Sequence, residues 1–359
     1  MSRIAVLPGD GIGPEVTAAA VRVLRAVLPS CTLEEAPVGT AAIASHGVAL
    51  PDETLALARA SDAILFGAVG GPSAGVPPEH RPEAALLALR AAFGLYANVR
   101  PVRAFAGTEH RSPLRPERVR GMDLVIVREL TGGLYFGPKR VEGEHGARSA
   151  VDTLVYQEFE IERIARFAFD LALTRRGRVT SVDKANVLVS SQLWREVVER
   201  VARDYPEVAL DHLLVDNAAM QLVRDPRAFD VIVTENMFGD ILSDEAAAVA
   251  GSIGTAASAS LGTRSGSRDF GLYEPISGTA PDIAGRGIAN PAASILSAAL
   301  LARHSLGEPD AAARIEGAVA AALASGPRTA DLDDEAPAST EAFTDLVLAR
   351  LPRTALTAS

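Results

Sequence analysis

Residues 3–27, RIAVLPGDGIGPEVTAAAVRVLRAV, decide the fold class of this chain. The stretch begins with a short apolar run, Arg3 to Leu7, that is typical of a buried strand. A glycine-rich turn follows at 8–14, and apolar residues then recur at helical spacing from Val16 to Val27. A strand, a tight turn and an amphipathic helix in this order predict the beginning of an α/β fold.

The same alternation continues along the chain. Apolar runs typical of strands lie at 61–68, 122–128, 179–183, 210–215 and 229–234. Helical patterns lie at 83–93, 152–173 and 191–204. This order predicts an α/β fold of two lobes around a central, largely parallel (mixed) sheet. No long linker separates the lobes, so we expect them to interleave, with the Gly-, Ser-, Ala- and Thr-rich segment 251–268 as a loop or crossover between them.

The glycines after the first strand imitate a dinucleotide-binding fingerprint. Gly9 and Gly11 have the required spacing, but the third glycine would fall at position 14, where this chain has Pro14. Proline has no N–H to offer to a pyrophosphate. We therefore predict that the fold is not a Rossmann fold.

The composition excludes several classes of protein. The chain has 35 basic and 45 acidic residues, for a formal net charge of −10, which argues against a nucleic-acid or anionic-membrane partner. Its one cysteine, Cys31, excludes an intramolecular disulfide framework and a cysteine-only zinc site. The first apolar run is too short for a signal peptide, and no apolar stretch approaches the roughly 18 residues of a membrane span. We expect a cytoplasmic protein.

Three aspartates form a candidate metal site. Asp240 and Asp244 are four residues apart, so they would share one face of a helix, and Asp216 follows an apolar run at a strand end, where α/β sheets bind ligands. Three carboxylates without His or Cys favour Mg²⁺ or Mn²⁺ over zinc. The spacing alone fits a helix cap and a solvated carboxylate at least as well, and both interpretations stay open.

The other residues that could take part in chemistry are basic: three arginines and two lysines. Arg90 lies at the end of an apolar helix, Arg100 precedes a proline and Arg128 ends a strand. Singly, each fits a structural ion pair; together with a carboxylate metal site they indicate a substrate with two or more carboxylates. Lysine occurs only at Lys139 and Lys184, and lysine can lose its proton whereas arginine cannot. Codon bias explains this shortage of lysine equally well.

Six long motifs resemble the decarboxylating β-hydroxyacid dehydrogenases, the isocitrate/isopropylmalate dehydrogenase family. They are PGDGIGPE at 8–15, YANVRP at 96–101, VRELTGGLYFG at 127–137, SVDKANVL at 181–188, NMFGDILSDEAA at 236–247 and EPISGTAPDIAGRGIANP at 274–291. The resemblance covers essentially the whole chain and is strongest to the isopropylmalate branch. It implies NAD-dependent oxidative decarboxylation of (2R,3S)-3-isopropylmalate to 4-methyl-2-oxopentanoate in leucine biosynthesis.

The resemblance also implies roles for the candidate residues. Asp216, Asp240 and Asp244 match the ligands of a Mg²⁺ or Mn²⁺ ion that chelates the substrate, so Asp216 also counts among the substrate-binding residues. Lys184 matches the base that removes the substrate's hydroxyl proton, and Tyr135 matches the acid that protonates the carbon after CO₂ has left. The carboxylate clamp, which orients both acid groups of the substrate, matches Arg90, Arg100 and Arg128.

Two further sets of residues follow from the resemblance. The pocket for the isopropyl group matches Glu83, Leu86, Leu87 and Val187. These leucines offer no polar or cationic partner for the third carboxylate of an isocitrate-type substrate. The cofactor loop matches Glu274, Gly278, Thr279, Ala280, Pro281, Asp282 and Asn290. The carboxylate of Asp282 can bind both ribose hydroxyls and repel a 2′-phosphate, which favours NAD⁺ over NADP⁺.

The resemblance further implies a homodimer whose active sites are shared between subunits. Lys184 and Asp216 would enter the active site of the partner. The lobes would comprise residues 1–105 with 255–359, which bind the cofactor, and residues 106–254, which dimerise and bind the metal and the substrate. Two alternatives remain: the same chemistry on D-malate or tartrate, and a non-catalytic homologue retained as a binding subunit.

Overall fold

The computed structural model describes residues 2–71, 75–77, 80–265 and 268–352. The strands in these residues are β1 (Arg3–Gly9), β2 (Thr32–Glu35), β3 (Ala63–Ala68), β4 (Ala97–Arg103), β5 (Asp123–Glu129), β6 (Lys139–Glu142), β7 (Ser149–Asp152), β8 (Arg178–Asp183), β9 (Ala209–Leu214), β10 (Val231–Thr234), β11 (Ala257–Ser265) and β12 (Arg268–Pro275). The α-helices are α1 (Gly13–Val27), α2 (Thr40–His46), α3 (Asp52–Arg59), α4 (Ala84–Ala92), α5 (Pro116–Val119), α6 (Glu158–Leu173), α7 (Val189–Ala202), α8 (Val215–Arg224), α9 (Asn236–Ala250), α10 (Ala292–His304), α11 (Pro309–Ser325) and α12 (Thr340–Arg350).

Ten of these strands form one sheet in the order β2-β1-β3-β12-β11-β4-β5-β10-β8-β9. Both ends of the sheet are parallel, while β11 runs antiparallel to β12 and β4, and β4 runs antiparallel to β5. Buried apolar residues from both faces of the sheet pack against the helices. The prediction of an α/β fold with a largely parallel, mixed sheet is confirmed.

The segment expected to be a loop or crossover is a strand. The residues from Ala257 to Ser265 form β11, which pairs with β12 on one side and with β4 on the other near the middle of the sheet. Its small side chains, such as Ser258 and Ser260, are fully buried. The prediction was wrong because buried small residues carry no strand propensity that could be read from composition.

The glycine-rich turn supports close packing between two loops. Gly9 and Gly11 have φ of +72° and +58°, and a Cβ on Gly11 would lie 2.0 Å from the carbonyl oxygen of Thr279. That same oxygen accepts a hydrogen bond from the backbone N–H of Ile12 at 2.9 Å. The turn therefore holds the loop around Thr279 against the start of α1.

None of the helices that the structure describes is long and apolar enough to cross a membrane.

Candidate active site

The first half of the site lies where β4, β5 and α9 meet. Helix α9 follows β10, and the Glu235 side chain caps it by accepting a hydrogen bond from the backbone N–H of Phe238 at 2.7 Å. The helix passes close to β5, because a Cβ on Gly239 would lie 2.7 Å from the Cβ of Arg128. This close approach brings the first two turns of α9 next to the arginines of the neighbouring strands.

Asp240 is the acceptor shared by three candidate residues. Its Oδ1 accepts from Nη1 of Arg128 and from Nη1 of Arg100, the latter at 3.3 Å, and its Oδ2 accepts from the Tyr135 hydroxyl at 3.1 Å. Asp244, one turn further along α9, lies 3.4 Å from Nη1 of Arg100. The predicted common face of the two aspartates is therefore present, and it points at two arginines of the predicted clamp.

Burial and neighbouring charge change the pKa values of this cluster. Burial lowers the pKa of Arg128 to about 10, helped by the charge of Arg100 and opposed by Asp240, so the guanidinium stays charged at neutral pH. Burial also lowers the pKa of Arg100. The pKa of Tyr135 is raised by burial and then by Asp240. Burial raises the pKa of Asp244, against the opposing effect of Arg100.

A cavity of about 180 Å³ adjoins this cluster. Arg90 and Arg100 line it together with Leu86, Glu274 and Gly278, and Nη2 of Arg90 donates to Oε1 of Glu274 at 3.0 Å. The cavity therefore combines two cations of the predicted clamp, one carboxylate and one apolar wall. It is the size of a small organic acid rather than of a whole dinucleotide.

The other residues of the predicted alkyl pocket lie apart from the cavity lining. Leu87 is 50% exposed and Val187 is 66% exposed. Glu83 is exposed at the N-terminus of α4, and Gly70 lies between it and the cofactor loop: a Cβ on Gly70 would be 3.5 Å from Oε1 of Glu83 and 3.4 Å from Cγ2 of Thr279. Within one chain, only Leu86 of the predicted pocket faces the cavity.

Lys184 and Asp216 form a separate pair. Nζ of Lys184 donates to Oδ1 of Asp216, which lies in the first turn of α8, and the backbone N–H of Lys184 donates to Oγ of Ser191 at 3.0 Å. Both side chains of the pair are accessible to solvent. Among the residues that the structure describes, no group of three His, Cys, Asp or Glu side chains converges on one point. One chain therefore does not bring Asp216 to Asp240 and Asp244.

The predicted cofactor loop borders the cavity. Gly278 borders it, Asp282 is exposed, and Ala280 has φ of +39°, a left-handed conformation that costs a non-glycine residue about 1 kcal/mol. Asn290 already has partners in the chain: its Nδ2 donates to Asp331 at 2.9 Å and its Oδ1 accepts from the Ala292 N–H at 2.9 Å.

Two asparagines of the site were not anticipated. Oδ1 of Asn98 accepts from Nε of Arg100 at 2.7 Å, and Oδ1 of Asn236 accepts from Nε of Arg128 at 2.9 Å. The signal for Asn98 was available, because residues two apart in a strand share a face and YANVRP places Asn98 two before Arg100. A comparable signal existed for Asn236, which lies four residues before Asp240 and so shares its face of α9.

Known proteins with similar sequences belong to the family that the motifs resemble. The family model for isocitrate/isopropylmalate dehydrogenase matches residues 3–347. The 3-isopropylmalate dehydrogenase of Novosphingobium aromaticivorans is 58% identical over 353 residues, covering 97% of this chain and 100% of that protein. The 3-isopropylmalate dehydrogenase of Geobacillus kaustophilus is 58% identical over 336 residues, covering 92% of this chain and 90% of that protein.

Solved structures lead to the same conclusion. Isocitrate dehydrogenase from Methylococcus capsulatus superposes with a TM-score of 0.88 at 39% identity, covering 98% of this chain and 99% of that one. A β-decarboxylating dehydrogenase from Thermococcus kodakarensis gives a TM-score of 0.81 at 38% identity, covering 98% and 96%. The resemblance seen in the motifs is confirmed: this chain is an oxidoreductase and belongs to the isocitrate/isopropylmalate dehydrogenase family.

Proposed function

We propose that this enzyme oxidises and decarboxylates (2R,3S)-3-isopropylmalate to 4-methyl-2-oxopentanoate with NAD⁺, in the cytoplasm, as a step of leucine biosynthesis. The observation that carries the proposal is the cavity in which Leu86 stands beside Arg90 and Arg100. An alkyl malate needs cations for its two carboxylates and an apolar wall for its alkyl group. The relatives named 3-isopropylmalate dehydrogenase support the same substrate.

The donor set fits a hard divalent cation if Asp216 comes from a second subunit. Asp240 and Asp244 supply carboxylate oxygens from one turn of α9, and oxygen ligands without His or Cys suit Mg²⁺ or Mn²⁺. Such an ion would polarise the hydroxyl and the adjacent carboxylate of the substrate as a Lewis acid. Arg90, Arg100 and Arg128 would orient the carboxylates.

The surface around these residues supports the proposed homodimer. Val187, Val189, Met220 and Ile241 are each more than half exposed, and they lie within a few residues of Lys184, Asp216 or Asp240 along the chain. Large exposed apolar side chains mark protein interfaces when they form a patch, and the proposed dimer would cover these four side chains. We propose that each site takes Lys184 and Asp216 from the other subunit, with residues 1–105 and 255–359 as one lobe and 106–254 as the other.

Two residues of this chain would move protons. The amine of Lys184, held by the carboxylate of Asp216, would take the proton of the substrate hydroxyl. Tyr135 would give a proton to the carbon from which CO₂ leaves. The raised pKa of Tyr135 keeps its phenol protonated at neutral pH, as an acid requires, and its hydrogen bond to Asp240 holds the ring at the clamp.

The cofactor loop supports NAD⁺ as the oxidant. Asp282 is exposed, so its carboxylate is accessible to a ribose. A carboxylate accepts hydrogen bonds from the 2′- and 3′-hydroxyls and repels the 2′-phosphate of NADP⁺.

The proposal is tested by a panel of substrates. Purified protein with Mg²⁺ is assayed for reduction of NAD⁺ and NADP⁺ with a series of 3-alkylmalates, D-malate and tartrate. We expect the highest kcat/KM for 3-isopropylmalate with NAD⁺. A higher kcat/KM for D-malate or tartrate would assign the enzyme to those acids, and no reduction with any acid would indicate a non-catalytic homologue.

Leu86→Ser is expected to raise KM for 3-isopropylmalate about tenfold, because the alkyl group loses its apolar contact. KM for D-malate, which has no alkyl group, should change little. The measurement is steady-state kinetics with both acids, and Leu87→Ser tests the half-exposed second leucine in parallel. Equal increases in KM for the two acids would show that Leu86 does not line the alkyl pocket.

A further inference from the structure

We propose that Asn98 is a positioning residue, which holds the guanidinium of Arg100 in the one orientation that leaves its Nη2 free for a substrate carboxylate. The inference rests on the proposed function in one respect, that the ligand of the clamp is a dicarboxylate. It assigns Asn98 no contact with the substrate.

The three nitrogen atoms of the Arg100 guanidinium differ in their hydrogen-bond partners. Its Nε donates to Oδ1 of Asn98 at 2.7 Å, and its Nη1 donates to Oγ of Ser243 at 2.6 Å, with Asp240 and Asp244 at longer distances. In the part of the chain that the structure describes, Nη2 has no acceptor. Arg100 lines the cavity, so the two remaining N–H groups are the donors that a ligand can use.

Asn98 cannot turn its amide over. It is fully buried, and its Nδ2 donates to Oγ of Ser258 at 2.9 Å and to Oγ of Ser260 at 3.1 Å. Reversing the amide would place Nδ2 against Nε of Arg100, where two donors would face each other. Nδ2 also lies 3.4 Å from the carbonyl oxygen of Ala259, which can only accept. This carbonyl and Nε of Arg100, which can only donate, therefore fix the orientation of the amide, and the amide holds the arginine.

The acceptor that Asn98 offers to Arg100 is neutral. An aspartate would also accept from Nε, but it would add a third carboxylate to the two, Asp240 and Asp244, that already lie near Nη1, and its charge would repel the carboxylate of the substrate. The hydroxyls of Ser258 and Ser260 can donate as well as accept, so they could hydrogen-bond to an aspartate, whereas the carbonyl oxygen of Ala259 would lose its donor. The Asn98→Asp variant is a nearly isosteric test of charge at this position.

Arg128, the second arginine of the cluster, is held by an asparagine in the same way as Arg100. Nε of Arg128 donates to Oδ1 of Asn236, whose Nδ2 donates to the carbonyl oxygen of Gly132 at 3.2 Å. In both cases an asparagine oxygen holds Nε, and Asp240 accepts from Nη1. Because the two asparagines come from different elements, β4 and α9, the repetition is a property of the site rather than of one local motif.

The test uses direct binding as well as turnover. Asn98→Asp is expected to weaken the binding of D-malate in the presence of Mg²⁺ about tenfold by calorimetry and to raise KM for the substrate by a similar factor, with a smaller change in kcat. The melting temperature should stay within a few degrees of wild type. Gln157→Glu, the same change of amide to carboxylate at the exposed N-cap of α6, is the matched control and should leave binding unchanged.

A second variant covers the case in which Asn98→Asp does not fold. Ser260→Ala removes one of the three acceptors of Nδ2 and should weaken D-malate binding about threefold. Wild-type affinity in the folded variants, or no binding of D-malate to the wild-type enzyme, would overturn the inference. Normal binding of D-malate without turnover of 3-isopropylmalate would instead overturn the proposed substrate.

Discussion

Lys184→Arg is expected to lower kcat about 10³-fold while the protein stays folded. Arginine keeps the positive charge and can still pair with Asp216, but it cannot be deprotonated, so it cannot take a proton from the substrate hydroxyl. The measurement is steady-state NADH formation together with a thermal melt of the same preparation.

Lys139→Arg is the matched control, because it makes the same change at the other lysine of the chain, which is exposed on β6. We expect it to have wild-type kcat. A kcat for Lys184→Arg within tenfold of wild type would remove Lys184 from the role of base. A melt that shows Lys184→Arg unfolded would leave Lys184→Met as the variant to measure.

Asp240→Asn is expected to lower kcat/KM at least 10³-fold and also to destabilise the protein. The substitution weakens a proposed metal ligand and removes the negative charge that pairs with Arg100 and Arg128. It also turns one of the two oxygens that accept from Arg100, Arg128 and Tyr135 into an NH₂ donor. Loss of one partner of a buried ion pair costs several kcal/mol, but the Asp240 side chain is 34% exposed, so we expect about 1–2 kcal/mol. Kinetics and chemical denaturation measure the two effects.

Asp244→Asn separates the two effects of that substitution. Asp244 is a proposed ligand of the same metal, but its side chain is 57% exposed and it lies 3.4 Å from one arginine only. We therefore expect the Asp244→Asn variant to have lower metal affinity and activity, with little change in the free energy of unfolding. Equal destabilisation by the two variants would contradict the shared-acceptor role of Asp240.

The sequence was sufficient for the fold class, and it pointed to several of the side chains that the structure brings together beside α9. Periodicity predicts the apolar strand that ends in Arg128 and the helix that places Asp240 and Asp244 on one face, because both elements are amphipathic or strongly apolar. Periodicity did not predict strand β11. Its Ser258 is buried because it binds Asn98, and such a contact between distant segments leaves no local periodicity.

Other features depend on partners that lie elsewhere in three dimensions. The hydrogen bond of Asn236 to Arg128 joins residues more than a hundred positions apart, which no local pattern encodes. Only Leu86 of the predicted alkyl pocket faces the cavity, because Leu87 points to solvent within a single chain. The position of Asp216 relative to Asp240 also depends on the three-dimensional structure. The two residues lie apart within one chain, and the proposed dimer would bring them together.

The most direct test of the shared site is to mix two inactive variants. If Lys184 and Asp240 act in one site but come from different subunits, a hybrid of Lys184→Arg and Asp240→Asn subunits has one intact site and one site with both defects. Random reassociation of the two variants should then restore about a quarter of the wild-type kcat, since half of the dimers are hybrids with one working site each. Activity that stays at the level of the separate variants, although hybrids are shown to form, would mean that Lys184 and Asp240 do not meet across a subunit boundary.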